Sequence, residues 1–193
     1  MPRIIPYREE NGYKIIDVRL SDVSYLFSDL DPSPVRVRDL DPSTDEFIVE
    51  AFREIGTATP TRIVFHLPAN QMELAARERV TEALPNYFAY RSWAAGLRLA
   101  RLWRQGWVSL LIGVGFLALC LGLRVLLTGQ LPETAGAIIA EGLLISGWVA
   151  MWRPIQIFLY DWWPVWRERS IYMALTRAPV ECRPATPASV NSK

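Results

Sequence analysis

"WVSLLIGVGFLALCLGLRVLL", residues 107–127, carries one charge in 21 positions, Arg124 near its far end. At about 1.5 Å per residue a helix over this run covers roughly 30 Å, the thickness of one bilayer core. A short loop with Gly129 and Pro132 as breakers follows, and then "AGAIIAEGLLISGWVAMW", residues 135–152, with Glu141 as its only charge. Its length of about 27 Å predicts a second, weaker crossing. The architecture that results is a two-helix transmembrane hairpin over 107–152, with spans 107–127 and 135–152.

Arginine sets the expected orientation, because cationic side chains beside a span resist translocation. Arg91, Arg98, Arg101 and Arg104 precede the first span and Arg153, Arg167 and Arg169 follow the second, whereas the connecting loop holds only Glu133. Both termini are therefore predicted on the cytoplasmic side. Trp103, Trp107, Trp148 and Trp152 fall at the same predicted interface, where amphipathic rings are favoured. The basic segment 86–106 reads as a juxtamembrane helix in which Arg91, Arg98, Arg101 and Arg104 contact anionic lipid at about 1 kcal/mol each.

Arg124 and Glu141 are the two intramembrane charges. Counting 17 residues inward from Trp107 and 11 from Trp152 leaves them about 9 Å apart in depth. They read as a pair that locks the hairpin, with Arg124 alternatively snorkelling outward, or as the lining of an ion or proton pathway. Small residues four apart, Ala118 with Gly122, Gly136 with Ala140 and Gly142 with Ser146, allow close helix approach within the hairpin or between copies.

Beyond the second span comes "WRPIQIFLYDWWPVWRER", residues 152–169. From Pro154 to Trp166 a helix would span only about 20 Å, and Asp161 and Pro164 lie inside it, so a third crossing is not expected. Residues 153–176 read instead as an interfacial aromatic helix. Trp152, Arg153, Tyr160, Asp161, Trp162, Trp163 and Trp166 form its candidate lipid or partner surface, and residues 177–193 read as a flexible cytoplasmic tail.

The amino-terminal part differs in composition. Residues 1–82 hold 15 acidic and 10 basic side chains and residues 83–193 hold 5 and 11, so a net of −5 is joined to a net of +6 within the overall +1. "YKIIDVRL" at 13–20 and "TRIVFHLP" at 61–68 read as strands. Between them DLDPS occurs at 29–33 and again at 39–43. In the second copy Asp41 stands before Pro42 as a helix cap, with Phe47, Ile48, Ala51, Phe52 and Ile55 on one apolar face and Gly56 as the stop. Met72, Ala76, Val80 and Leu84 predict a further amphipathic helix interrupted by Pro85. Residues 1–85 thus read as a small acidic β-α-β-α domain of the α+β class.

No Walker loop, GxGxxG, HExxH or GxSxG string is present, and His66, the single histidine, ends a strand without a nucleophile motif beside it. The four aspartates Asp29, Asp31, Asp39 and Asp41 lack the order of an EF-hand. They leave open a hard-cation site, or an enzyme acting through paired carboxylates on a membrane-bound substrate, beside the capping role of Asp41. Cys120 and Cys182 read as unpaired thiols. The sequence therefore predicts no cofactor, no metal and no catalytic residue, and the confinement of basic residues to the membrane flank argues against nucleic acid.

"IIDVRLSDVSYLFSDLDPSP", "RDLDPSTDEFIVEA" and "GWVAMWRPIQIFLYDWWP" together resemble a family of small, uncharacterised bacterial inner-membrane proteins with two transmembrane helices, over about Ile15 to Val180. Arginine makes up 19 of the 21 basic residues, which fits a GC-rich bacterial genome. The resemblance implies location in the inner membrane and no known activity, ligand or catalytic residue. The expected function is a non-enzymatic, membrane-anchored interaction or scaffold protein whose partners are lipids and another membrane or cytoplasmic protein, with homo-oligomerisation left open. The alternative is an oligomeric channel or transporter subunit using Arg124 and Glu141.

Overall fold

The computed structural model describes residues 7–27, 40–128, 130 and 132–185. The chain divides into two compact units, residues 1–94 with 168–193, and residues 95–167.

The first unit is built on a four-stranded sheet in the order β1-β2-β3-β4: β1 (Glu9–Glu10), β2 (Tyr13–Arg19), β3 (Thr61–Leu67) and β4 (Val180–Pro184). β1 and β2 form an antiparallel hairpin across Asn11 and Gly12, both at positive φ (53° and 78°). Asparagine followed by glycine supplies the two left-handed residues that a tight hairpin turn needs. β2 and β3 are parallel, with Ile16 opposite Ile63 and Val18 opposite Phe65. β3 and β4 are also parallel, with Ile63 opposite Val180 and Phe65 opposite Cys182. β2 and β3 are the interior strands, and the run Ile63-Val64-Phe65 of β3 is fully buried, Ile63 and Phe65 on one face and Val64 on the face it shares with Arg62 and His66.

The parallel pairing of β2 and β3 needs a crossover, which α1 (Pro42–Ile55) supplies. Asp41 caps it: its carboxylate accepts the N–H groups of Ser43 (3.0 Å) and Thr44 (3.3 Å), and Pro42 fills the first turn where no N–H is needed. Gly56 ends the helix at φ +91°. Ile48, Ala51, Phe52 and Ile55 are buried as expected, but Phe47, assigned to the same face, is half exposed.

The other helices are α2 (Met72–Arg77), α3 (Val80–Thr128), α4 (Glu133–Gln156) and α5 (Trp162–Arg177), with a π-helical turn at Ile157–Asp161 between the last two. α3 and the helical stretch Glu133–Arg177 are each long and apolar enough to cross a membrane. The domain helices supply Val80, Leu84, Phe88 and Leu175 to the buried set. Phe88 stacks on Tyr172 at 6.1 Å between ring centroids.

Four expectations are corrected. The amino-terminal domain is not a closed β-α-β-α unit, because its fourth strand comes from residues 180–184, beyond every long helix. Of the segment 177–193, expected as a flexible tail, residues 180–184 instead enter the sheet beside β3, and residues 186–193 lie outside the described residues. The helix break expected at Pro85 lies at Arg79, which adopts φ 49°, and Pro85 sits early in an unbroken α3. Pro85, the sixth residue of α3, gives up one hydrogen bond to the Thr81 carbonyl and the helix continues past it, whereas a left-handed residue ends the helical path outright. Finally, no helix end falls at residue 152: α4 runs on to Gln156 and continues through the π turn into α5.

Candidate functional site

Within the second unit α3 and α4 pack along a seam of glycines. A Cβ on Gly147 would stand 2.6 Å from Leu117 Cδ1 and 3.5 Å from both Leu117 Cα and Cys120 Cβ. One on Gly113 would meet the carbonyl oxygen of Ala150 and Sδ of Met151, each at 3.1 Å, and one on Gly106 would strike the Phe158 ring at 3.0 Å. Pro154, four residues past Ala150, has no N–H to offer that carbonyl, whose oxygen occupies the space a Gly113 side chain would need. Cys120, Gly136 and Ala140 are buried along the same seam. Gly122 and Gly142, by contrast, have nothing within 4 Å of a built Cβ and lie exposed. Of the three small-residue pairs, Gly136 with Ala140 is used inside the hairpin, while Gly122 and Gly142 sit on outward faces.

The seam fixes an antiparallel register in which the numbers of facing residues sum to about 263–267, as 113 with 150, 117 with 147 and 120 with 147. Extending it, Arg124 stands level with residues 139–143, so its height differs from that of Glu141 by no more than about 3 Å. The depth gap of 9 Å expected from the tryptophan ends is removed. The error came from treating Trp107 and Trp152 as level, whereas the seam pairs Gly106 with Ile157 and Phe158. Arg124 and Glu141 are both exposed.

The tryptophan-rich stretch splits into two faces. Phe158 packs against Trp103 (5.6 Å) and Trp107 (5.7 Å), and Trp162 lies 6.4 Å from Trp103 while donating its indole N–H to the Phe158 carbonyl at 2.9 Å. Phe158 and Trp162 are thus partly covered by α3, and Trp162 also meets Trp163 (5.6 Å) and Trp166 (6.5 Å) edge to face. Trp152, Tyr160, Trp163 and Trp166 are exposed, with Trp163 and Trp166 5.6 Å apart. Arg153 donates to the Asp161 carboxylate at 3.2 Å and to the Gln156 side-chain oxygen at 3.4 Å, and both ends of the ion pair keep access to solvent. On one outward face of α4 a shallow, open apolar groove of about 580 Å³ lies between the side chains of Leu144, Ile145, Trp148, Val149 and Trp152 and ends on Arg153 and Gln156.

The four arginines expected to contact lipid do not share one environment. Arg98, Arg101 and Arg104 lie exposed on α3. Arg91 instead turns into the first unit, where it pairs with Asp45 at 3.2 Å and donates to the hydroxyls of Tyr87 (2.8 Å) and Tyr172. Burial works against its charge, but the Tyr172 hydrogen bond, Tyr87 and Asp45 together raise its pKa above the ordinary guanidinium value. Burial likewise pushes the Tyr172 phenol up, with Arg91 opposing. The guanidinium thus binds α1, α3 and α5 together.

The sheet carries a charged face. Strand alternation and register set Asp17 and Arg19 beside Arg62 and His66 and these beside Glu181 and Arg183. His66 Nε2 lies 2.6 Å from Asp17, Arg62 reaches Glu181 at 2.6 Å, and Arg183 bridges Glu181 (2.7 Å) and Glu10 (2.8 Å). Each such partly exposed pair contributes about 0–1 kcal/mol, so the network tunes the surface more than it holds the fold. A cleft of about 740 Å³ opens between the end of β2 and the start of α1, lined by Asp17, Arg19, Tyr25, Asp41, Thr44 and Phe47 among others. Its aspartate at 41 is held below the usual carboxylate range by the Ser43 hydroxyl and by the Thr44 and Ser43 N–H groups, which suits a cap and not a proton acceptor. Asp29, Asp31 and Asp39 lie outside the described residues. Among the described residues no three His, Cys, Asp or Glu side chains gather as a metal would require. Cys120 and Cys182 are free thiols.

No protein-family model, no curated protein and no solved structure matches the chain.

Proposed function

We propose that this protein is a non-enzymatic scaffold of a bacterial inner membrane, a hairpin of two spans that holds a small α/β domain at the cytoplasmic face. One observation carries this: the long helices are inserted between two hydrogen-bonded neighbours of a single sheet. β3 precedes α3, β4 follows α5, and the two strands pair in parallel through Ile63–Val180 to Leu67–Pro184. A chain that leaves a sheet and returns to it ends on the side where it began, so two spans between those strands cross a bilayer out and back. The arginine distribution then assigns that side to the cytoplasm, and the exposed Trp152, Trp163 and Trp166 supply the interfacial belt.

The domain offers two partner-facing features, the ion-paired sheet face and the cleft rimmed by exposed Tyr25 and Phe47. The outward Trp163 and Trp166 add a third. Co-purification from native membranes in mild detergent tests the scaffold reading. A specific protein retained by the parent, and lost on joint replacement of Trp163 and Trp166 by alanine or on reversal of Arg62 and Arg183 to glutamate, is the expected result. Recovery of the protein alone at native expression contradicts it.

A further inference from the structure

We propose that the groove on α4 is a site for one phospholipid with a zwitterionic, primary-ammonium headgroup, its phosphate on Arg153 and its ammonium on Asp161. The inference rests on the membrane-hairpin reading above.

The groove has the length and the polarity grading of one acyl chain below its headgroup. From Leu144 to Arg153 the helix rises about 13–14 Å, close to the roughly 15 Å of one leaflet of a bilayer core. Over that length its walls are apolar, Leu144, Ile145, Trp148, Val149 and Trp152, and all polarity is gathered at one end in Arg153 and Gln156. An acyl chain fits such a wall, and the polar end falls where a headgroup begins. Trp148 and Trp152, one helical turn apart and both exposed, lie on the same column of the helix.

The polar end selects the headgroup by charge balance. Arg153 extends toward the carboxyl end of the chain and meets Asp161 at 3.2 Å, with Gln156 between them. The arginine side chain is about half exposed and the aspartate less so, and both remain within reach of a ligand. An anionic headgroup would gain Arg153 and be repelled by Asp161. A headgroup with its own phosphate and ammonium meets both members of the pair in the complementary sense. A guanidinium has five N–H donors, so it can serve Asp161 and a phosphate together. A primary ammonium can donate to the carboxylate oxygens, which a quaternary one cannot.

The test uses the full-length protein in nanodiscs of phosphatidylethanolamine and phosphatidylglycerol, with one of the two in turn carrying a photoactivatable acyl chain, and peptide mapping of the adducts. Labelling of residues 144–152 by the phosphatidylethanolamine probe is expected to exceed that by the phosphatidylglycerol probe by about two- to fivefold, the range one half-exposed charge contact supports. Exposed positions of α3 such as Leu111 and Ile112 serve as a reference and should be labelled equally by both. Asp161→Asn should reverse the preference at 144–152, and Arg153→Gln should lower labelling there by both probes, with helix content by circular dichroism unchanged. Equal labelling by both lipids, or labelling of α3 without labelling of the groove because a second copy covers it, overturns the lipid site. Absence of labelling from α3 and groove alike overturns the membrane reading instead.

Discussion

Gly147→Val tests the hairpin seam most severely. The new Cβ would stand 2.6 Å from Leu117 Cδ1, a contact the leucine can relieve by changing rotamer. The two γ-methyls have no such escape, since Leu117 Cα and Cys120 Cβ already lie 3.5 Å from the Cβ position and are fixed by the α3 backbone. The helices must therefore separate, and overpacking of this kind costs about 1–3 kcal/mol. Gly142→Val places the same side chain on the same helix with nothing within 4 Å, so its cost should stay within about 0.5 kcal/mol. The assay is reversible unfolding of the purified protein in mixed micelles of rising SDS fraction, followed by tryptophan emission. The order Gly147→Val below Gly142→Val, with the latter near the parent, is the expected result. Equal losses, or a larger loss at Gly142, would refute the seam and place the close contact on the opposite face of α4.

Arg91→Met should destabilise the domain by about 1–3 kcal/mol, because it strips a charge from a part-buried Asp45, and adding Asp45→Asn should recover some of the loss in a double-mutant cycle. Cys182 should react slowly with a thiol reagent in the folded protein and fast in denaturant, since burial raises its thiol pKa and β4 is hydrogen-bonded to β3. Slow amide exchange at 180–183 should accompany it, and free exchange there would remove β4 from the sheet. Burial and the Glu54 hydrogen bond push Tyr7 up to about 12, so its stabilising interaction is intact below the ordinary phenol pKa of about 10 and is lost as pH rises through 12. Tyr7→Phe should accordingly remove a tyrosine that titrates near 12 from the absorbance curve. Asp41, whose folded pKa is depressed, acts in the opposite sense: the α1 cap is present above the usual aspartate range and is lost as pH falls through the depressed value. Helix content at acid pH should fall less in Asp41→Asn, which keeps a neutral acceptor, than in the parent.

What the sequence discloses tracks how local the cause is. Asp41, Pro42 and Gly56 bound α1 through contacts within a few residues, and all three could be assigned in advance. The strands Tyr13–Arg19 and Thr61–Leu67 were equally visible because composition and breakers mark them on the spot. β4 was not, since "VECRP" is short, is flanked by Pro179, and becomes a strand only by pairing with residues about 117 positions earlier. The β1–β2 hairpin was missed although Asn11-Gly12 is a strong turn signal, because β1 is only two residues long and has no pattern of its own. The aromatic stretch was read as one surface, yet Phe158 and Trp162 turn inward on α3 while Trp163 and Trp166 turn outward. Periodicity alone could not separate them, because the π turn at Ile157–Asp161 shifts the helical phase between Trp152 and Trp162. Arg91 was grouped with the lipid-facing arginines by its place in the chain, and only the fold brings Asp45 and Tyr172 to it.

The central claim, one domain interrupted by an out-and-back membrane hairpin, is tested by single-cysteine accessibility in sealed vesicles of each orientation. Cysteines at Thr59 before β3, at Gln130 between the long helices and at Ala185 after β4 are labelled in turn with a membrane-impermeant maleimide, in a background of Cys120→Ser and Cys182→Ser. The account predicts Thr59 and Ala185 reacting from the cytoplasmic side and Gln130 from the opposite one. All three reacting from one side, or Thr59 and Ala185 from different sides, would contradict it.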